Sequence, residues 1–86
     1  ERIEAQVREK LTRFEERLTR LEVHVHNEHH HTHGNDDKGC TIEARPEGLR
    51  PQTVTHADAD IPAALRGGGK KIRALLESEF GKLSRR

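Results

Sequence analysis

The chain has 86 residues, of which 30% are hydrophobic and 36% are charged, and its formal net charge is +1 at pH 7. A chain of this length buries about two-thirds of the surface that its unfolded form exposes, so residues 1–86 are expected to form one small domain. No apolar run approaches the roughly 20 residues of a membrane-spanning helix, and no signal peptide is recognisable, which predicts a cytoplasmic protein without a membrane partner. The single cysteine, Cys40, excludes an internal disulfide.

The charge is distributed unevenly along the chain. Residues 1–20 carry a net charge of +1, residues 21–69 carry −4 and residues 70–86 carry +4. A cationic C-terminal segment suits the phosphate backbone of a nucleic acid, whereas the acidic middle would repel it, so nucleic-acid contact is expected on one side of the molecule. The same lysines and arginines would also favour the negative end of a helix dipole without any ligand.

The first segment has the pattern of an amphipathic helix. Apolar residues recur three or four positions apart from Ile3 to Leu18, which predicts a helix over residues 1–18 with one apolar stripe. Its polar face holds three Glu–Arg pairs at a spacing of four: Glu4–Arg8, Glu9–Arg13 and Glu16–Arg20. Such pairs stabilise an isolated helix by roughly 0.2 to 0.5 kcal/mol each, so we expect these arginines to be paired within the helix.

Three strands are predicted next. Apolar and polar residues alternate over residues 21–26 and again over residues 40–45, which predicts two strands with one face in the core. The polar segment between them, residues 27–39, is predicted to be a loop. After a turn at residues 46–51, a weaker third strand is predicted at residues 52–56, where Val54 is the only strongly apolar residue.

The last segment is predicted to be a long helix capped by Asp58 or Asp60, with Pro62 in its first turn. Its apolar stripe is expected to face the sheet and consists of seven residues: Ile61, Leu65, Ile72, Leu75, Leu76, Phe80 and Leu83. The glycine triplet at residues 67–69 interrupts it, and each glycine costs about 1 kcal/mol relative to alanine. The helix is therefore expected either to kink at the glycines or to pack very close to the sheet.

Two helices and three strands, each with one apolar face, bury those faces when both helices lie on one side of an antiparallel sheet. The order α-β-β-β-α thus predicts a small α+β fold. The blocks L-T-R-L-E-V-H-V, N-D-D-K-G-C, T-I-E-A-R, T-V-T-H, A-A-L-R-G and K-K-I-R-A-L-L-E resemble the ribosome hibernation-promoting factor family, also described as ribosome-associated inhibitor or sigma-54 modulation proteins. The resemblance covers residues 18–83 and depends on the order and spacing of these blocks.

The resemblance implies a β-α-β-β-β-α domain whose first strand is missing from this chain, and it implies the short form of the family. A sheet without that strand would have an unpaired edge, which predicts a homodimer formed through that edge. Members of the family bind the small ribosomal subunit in the channel used by mRNA and tRNA, and they inhibit translation when growth stops. The resemblance implies the same function here, with rRNA as the partner and without a cofactor.

Long cationic side chains on rigid helices are suited to phosphate contacts. The predicted RNA-binding residues are seven cations on the two helices: Lys10, Arg13, Arg17, Lys70, Lys71, Arg73 and Lys82. Of these, Lys71 and Lys82 match the family pattern best. Phe14 and Phe80 are the only aromatic residues besides histidine, so stacking of bases on aromatic rings is not expected. This favours recognition of the backbone and shape of folded rRNA.

A second RNA-binding interpretation is the double-stranded RNA-binding domain. That domain also has the order α-β-β-β-α, and G-G-G-K-K-I-R-A-L-L resembles the lysine-rich start of its second helix. The interpretation requires the last helix of this chain to begin after Gly69. A helix that is continuous from about Asp60 to Lys71 would contradict it.

Metal binding is the alternative from a different class. Six histidines fall within ten residues: His24, His26, His29, His30, His31 and His33. Imidazole binds Zn, Ni and Cu, and two of these histidines, His24 and His26, are predicted to lie side by side on the exposed face of the sheet. No cysteine or carboxylate stands at a recognised metal-site spacing. His24, His26, His29 and His31 are therefore candidate ligands, and no metal cofactor is predicted.

Catalysis has less support in the sequence. Cys40 near a histidine would supply a nucleophile and a base, but it alternates with Ile42 and Ala44 on the predicted inward face, where a buried thiol packs as a small apolar group. His56 is expected to be a structural residue at the end of the third strand. No carboxylate pair, phosphate-binding loop or triad spacing is present, so no enzymatic activity is predicted.

Overall fold

The computed structural model describes residues 2–30 and 35–84. The elements, in chain order, are α1 Arg2–Lys10, a 3-10 helix Thr12–Arg17, β1 Leu18–His30, β2 Asn35–Pro46, β3 Gln52–Asp58 and α2 Ile61–Ser84. The predicted α+β class and the predicted order of elements are thereby confirmed.

The three strands form one antiparallel sheet in the order β1-β2-β3. Ile42 lies at its centre and pairs with Val23 on β1 and with Val54 on β3. Side chains alternate between the two faces of a strand, so Cys40, Ile42 and Ala44 share the inward face, and each of them has 0% exposure. The predicted inward row of the second strand is confirmed.

Both helices lie on this inward face. Val7 of α1 and Leu11, which follows α1, belong to the same buried cluster as Ile42 of β2 and Ile72 and Leu76 of α2. All five side chains have 0% exposure, so one continuous apolar core joins both helices to the sheet. No helix in the described ranges is long and apolar enough to span a membrane.

The predicted loop at residues 27–39 is wrong over most of its length. β1 continues to His30 and β2 begins at Asn35, and these two residues are opposite each other in the register. Lys38 supports the extension, because its Nζ donates a hydrogen bond of 2.6 Å to Oδ1 of Asn27, the residue opposite it. This pair is polar, and a hydrophobic period cannot detect a polar cross-strand pair. Residues 31–34 lie outside the described part. β3 also continues past His56, to Asp58.

The first helix ends earlier than the apolar period predicts. α1 stops at Lys10, and the chain continues as a 3-10 helix in which the amide of Phe14 donates to the carbonyl of Leu11 at 2.9 Å. Because a 3-10 helix has three residues per turn, Leu11, Phe14 and Arg17 lie above one another. Leu11 and Phe14 are buried as predicted, since their spacing of three fits either type of helix.

The change of helix type also changes the ion pairs. Glu4 and Arg8 both lie in α1 and pair at 2.6 Å, as predicted. The predicted pair Glu9–Arg13 is wrong, because the i,i+4 geometry of an α-helix is lost beyond Lys10. Arg13 instead pairs with a glutamate of α2.

α2 is one continuous helix from Ile61 to Ser84. Asp60 caps it, since its Oδ1 accepts a hydrogen bond from the amide of Ala63 at 2.8 Å, which selects one of the two predicted caps. The predicted apolar stripe is confirmed for six residues, which are buried or partly buried: Leu65, Ile72, Leu75, Leu76, Phe80 and Leu83. It is wrong at Ile61, which is the first helical residue and is 37% exposed. The continuous helix also contradicts the double-stranded RNA-binding domain, which required a start after Gly69.

The glycine triplet marks the closest approach of α2 to the sheet. A Cβ on Gly68 would lie 2.6 Å from Sγ of Cys40 and 2.9 Å from Cδ1 of Ile42. A Cβ on Gly67 would meet the imidazole ring of His56. Close packing of α2 on the sheet, the second of the two predicted alternatives, is therefore confirmed, because a side chain at Gly67 or Gly68 would collide with residues of β2 or β3.

Candidate nucleic-acid interface

The first helical segment, which we define as α1 together with the 3-10 helix (residues 2–17), lies beside α2 and runs in the same direction. The side chain of Lys10 packs against α2 at Gly69. A Cβ placed on this glycine would lie only 2.7 Å from Cδ of Lys10. Further along both segments, Phe14 stacks on Phe80 with ring centroids 5.4 Å apart. This arrangement places cations from two distant parts of the chain on one surface.

We call that surface the interhelical strip. It contains six cations, three from each segment: Lys10, Arg13, Arg17, Arg66, Lys70 and Arg73. Those on α2 share one side of the helix, because they are spaced four and three residues apart. Arg66 is an addition to the predicted residues, and its spacing from Lys70 and Arg73 is the signal that identifies it. Lys10 is half-buried, and the other five residues are exposed.

Glu77 holds two of these arginines. Its Oε2 accepts a hydrogen bond from Nη1 of Arg13 at 3.1 Å and another from Nε of Arg73 at 3.2 Å. The side chains of Arg13, Arg73 and Glu77 are 65%, 53% and 38% exposed. Ion pairs with this exposure contribute at most about 1 kcal/mol, so an RNA phosphate can compete with the carboxylate for both arginines.

Arg17 is held by an aromatic ring rather than by an acid. Its Cζ lies 3.6 Å from the centroid of the Phe80 ring, which is a cation–π contact. Within the described ranges, its guanidinium makes no hydrogen bond or ion pair, and the same is true of the side-chain nitrogens of Lys10, Arg66 and Lys70. Arg66 lies close enough to Asp58 to contribute to the lowered pKa of that carboxyl. Three of the six cations in the strip, Lys10, Arg17 and Lys70, are therefore available to an anionic ligand without displacing an acid.

Lys71 and Lys82 lie on a different side of α2. They are separated by about three helical turns and so share one side of the helix. Nζ of Lys71 donates to the backbone carbonyl of Thr55 at 2.9 Å, which places this side next to β3. Nζ of Lys82 donates to Glu79 at 3.3 Å. We call this side the β3 flank. The seven predicted cations thus divide between the interhelical strip and the β3 flank instead of forming one set.

The outer face of the sheet carries a balanced pattern of charge. Arg20 pairs with Glu22, and Arg45 pairs with Glu43 at 3.4 Å. In the register, Arg20 stands opposite Arg45 and Glu22 stands opposite Glu43. The predicted pair Glu16–Arg20 is wrong, because Arg20 belongs to β1 rather than to the first helix. With its acids and bases paired locally, this face attracts a polyanion less than the interhelical strip does.

Two of the candidate metal ligands, His24 and His26, lie on this outer face and are exposed, as predicted. Nε2 of His24 lies 3.6 Å from Oε1 of Glu22. Among the residues that the structure describes, no group of three potential metal ligands occurs. The side chain of His29 and the whole of His31 lie outside that description. Metal binding by the histidine segment stays an alternative hypothesis.

Cys40 packs in the core, as the alternating pattern predicts. It is fully buried, and its thiol donates a hydrogen bond to the carbonyl of Ala64 at 3.2 Å. Burial raises the pKa of this thiol above its usual range, so it stays neutral at physiological pH. His56 is half-buried beneath α2, with Nε2 3.4 Å from Oδ2 of Asp58. The pKa of Asp58 is lowered, chiefly by the hydrogen bond that its side chain accepts from the amide of Ala59.

The predicted homodimer depends on an unpaired strand edge. In the described part of the chain, β1 pairs with β2 alone, so one edge of β1 has no strand neighbour. At β3, the bond from Lys71 to Thr55 occupies a backbone carbonyl that an added strand would need. Association through β1 stays a prediction, and solution scattering over a concentration series tests it.

No family model matches this chain, and no curated protein matches it. The resemblance to ribosome hibernation factors therefore stays a prediction.

Proposed function

We propose that the protein binds rRNA of the small ribosomal subunit in the cytoplasm and inhibits translation during stress or stationary phase, as a ribosome hibernation factor. The observation that carries this proposal is the interhelical strip, where two parallel helical segments hold six cations on one side of the domain. Over residues 18–83 the order of elements is β-β-β-α, which agrees with the fold that the sequence resemblance implies for that range.

The strip has the chemistry that phosphate contacts require. Its cations are long, and both helical segments pack on one sheet through a shared core, so the Cα positions are fixed relative to one another. Phosphate contacts set the position and much of the affinity of a nucleic-acid complex. Each phosphate that a cation neutralises lowers log K by roughly 0.7 to 0.9 for every tenfold increase in salt concentration.

Binding on one side agrees with the rest of the molecular surface. The outer face of the sheet pairs its arginines with glutamates along each strand, as Arg45 does with Glu43. The β3 flank adds Lys71 and Lys82, the two residues that the family resemblance favours, on another side of the same helix. Inhibition then needs no catalytic group, because a protein in the channel for mRNA and tRNA excludes both by occupying their space.

Co-sedimentation with purified small ribosomal subunits over a series of salt concentrations tests the proposal. We expect the wild-type chain to sediment with the subunits at low salt, to be released as salt rises, and to compete with mRNA for binding. Failure to co-sediment at low salt, or binding that does not change with salt, would contradict the proposal. A second experiment measures protein synthesis in a cell-free translation reaction as the concentration of this protein is raised. We expect synthesis to fall over the same concentration range in which the protein occupies the small subunits.

A further inference from the structure

We propose that the interhelical strip contains a binding site for one unpaired RNA base, in which the base stacks on the guanidinium plane of Arg17. This inference rests on the proposed function and deepens it, because it names a part of the RNA that is read in addition to the phosphate backbone.

The site lies where the 3-10 helix meets the C-terminal half of α2. The rings of Phe14 and Phe80 are stacked, with their planes inclined by 19°. Cζ of Arg17 lies 3.6 Å from the centroid of the Phe80 ring. Both rings are 4% exposed, whereas Arg17 is exposed. The guanidinium of Arg17 therefore lies over a buried aromatic ring, while the residue as a whole is exposed to solvent.

The guanidinium plane is oriented before any ligand binds. A 3-10 helix advances three residues per turn, so Arg17 follows Phe14 by one turn and lies on the same side of the segment. The cation–π contact with Phe80 then restrains the guanidinium, which lowers the conformational cost of binding. Arg13 differs, because its guanidinium donates to Glu77 at 3.1 Å. In the described ranges, the guanidinium of Arg17 has no such acid.

A planar cation with one free face is suited to an unpaired base. Arginine planes stack on splayed bases in RNA recognition, and the N–H groups at the edge of the same plane can donate to a neighbouring phosphate. An unpaired nucleotide can make both contacts with Arg17 at once: its base stacks on the face of the guanidinium, and its phosphate accepts hydrogen bonds from the N–H groups at the edge. A paired base within a duplex cannot do so, because its own neighbours already cover both of its faces.

The surroundings of the stack leave room for a base. An open groove next to Phe80 is lined by Arg13, Gly81 and Ser84 among others. A Cβ on Gly81 would meet no atom within 4 Å, so there is open space above this glycine in the groove. The scarcity of aromatic residues in the sequence argued against base stacking. The structure supplies the stacking plane from an arginine instead.

The test uses two RNA hairpins that differ by one base. One has a single bulged adenosine, and the other has an abasic nucleotide at the same position, so their phosphates and backbones match. Fluorescence anisotropy at low salt gives the affinity of the full chain for each hairpin. We expect the adenosine hairpin to bind roughly fivefold more tightly, which corresponds to one stacked base.

Three variants assign the preference to the guanidinium plane. Arg17→Lys keeps the charge and loses the plane, so we expect the preference to disappear while affinity for the abasic hairpin stays within about twofold of wild type. Arg13→Lys makes the same change four residues earlier in the same 3-10 helix and should keep the preference. Phe80→Leu keeps an apolar core residue and removes the ring beneath Arg17, so the preference should decrease. Thermal unfolding checks that each variant is folded.

The outcomes separate this inference from the proposed function. Equal affinity of the wild-type chain for the two hairpins, or a preference that survives Arg17→Lys, overturns the stacking site. Failure to bind either hairpin overturns it as well. In each case, co-sedimentation of the wild-type chain with small subunits shows separately whether the proposed function stands.

Discussion

Arg13 and Glu77 are 64 residues apart in the chain and bond to each other at 3.1 Å, which links the 3-10 helix to α2. Arg73 bonds to the same carboxylate oxygen at 3.2 Å. One acid thus lies between two arginines in the middle of a cationic surface. It holds both guanidinium groups in place, and it also competes with any phosphate that approaches them.

Replacing this acid should strengthen RNA binding. We expect Glu77→Gln to raise affinity for the small subunit by roughly two- to fivefold at low salt, because both arginines lose a competing anion. The free energy of unfolding should fall by no more than about 1 kcal/mol, since the ion pairs are exposed. Titration by co-sedimentation measures the first effect, and urea unfolding measures the second.

Glu43→Gln is the matched control for that variant. It removes one acid that also pairs with an arginine, Arg45, but on the outer face of the sheet. We expect subunit affinity to stay within about twofold of wild type. An equal gain in both variants would mean that net charge alone sets the affinity, and a loss with Glu77→Gln would mean that the strip does not contact phosphate.

The close packing of α2 on the sheet predicts opposite effects for two glycine substitutions. Gly68→Ala places a Cβ 2.6 Å from Sγ of Cys40, so we expect a loss of about 1 to 3 kcal/mol of stability from overpacking. Gly81→Ala meets nothing within 4 Å, and we expect a gain of about 0.5 to 1 kcal/mol from the better helix propensity of alanine. Urea midpoints compare the two, and a stabilised Gly68→Ala variant would contradict the packing described.

The buried thiol predicts a specific alkaline weakness. Burial raises the pKa of Cys40, so the folded chain keeps its proton while the unfolded chain releases it first as pH rises. The thiol is neutral in both states below roughly pH 8.5, and stability should fall above that value. Cys40→Ala should lack this component when the two unfolding curves are compared over the same pH range.

Alkylation provides a second measurement on the same residue. We expect iodoacetamide to modify Cys40 far more slowly in the native chain than in urea, because the thiol has 0% exposure and is neutral. Equal rates in the two conditions would show that the thiol is accessible in the native state and would contradict its place in the core.

The parts of the fold with a strong apolar period were predictable from the sequence. The alternation at Cys40 and Ile42 indicated a strand, and the stripe through Ile72 indicated a helix, because burial of those side chains determines both elements. The extended hairpin was not predictable, because its residues are polar and carry no apolar period, as in the cross-strand pair of Lys38 with Asn27. The 3-10 helix was not predictable, because apolar residues spaced three apart fit both an α-helix and a 3-10 helix.

The candidate site was predictable in part. Five of the six cations in the interhelical strip were identified, because long cations on helices are visible in the sequence. The division of the predicted cations between the strip and the β3 flank was not predictable. It depends on which side of α2 faces β3, as the hydrogen bond from Lys71 to Thr55 shows. The bridging position of Glu77 and the contact of Arg17 with Phe80 depend on how the two segments pack, and no local pattern encodes that.

A pair of double variants tests the central claim, that the interhelical strip rather than the outer face of the sheet binds rRNA. Arg17→Gln with Lys70→Gln removes two charges from the strip, and Arg20→Gln with Arg45→Gln removes two from the outer face. In co-sedimentation with small subunits at low salt, we expect the strip variant to lose roughly tenfold or more in affinity and the outer-face variant to stay within about twofold of wild type. Equal losses in the two variants, or undiminished binding by the strip variant, would contradict the claim.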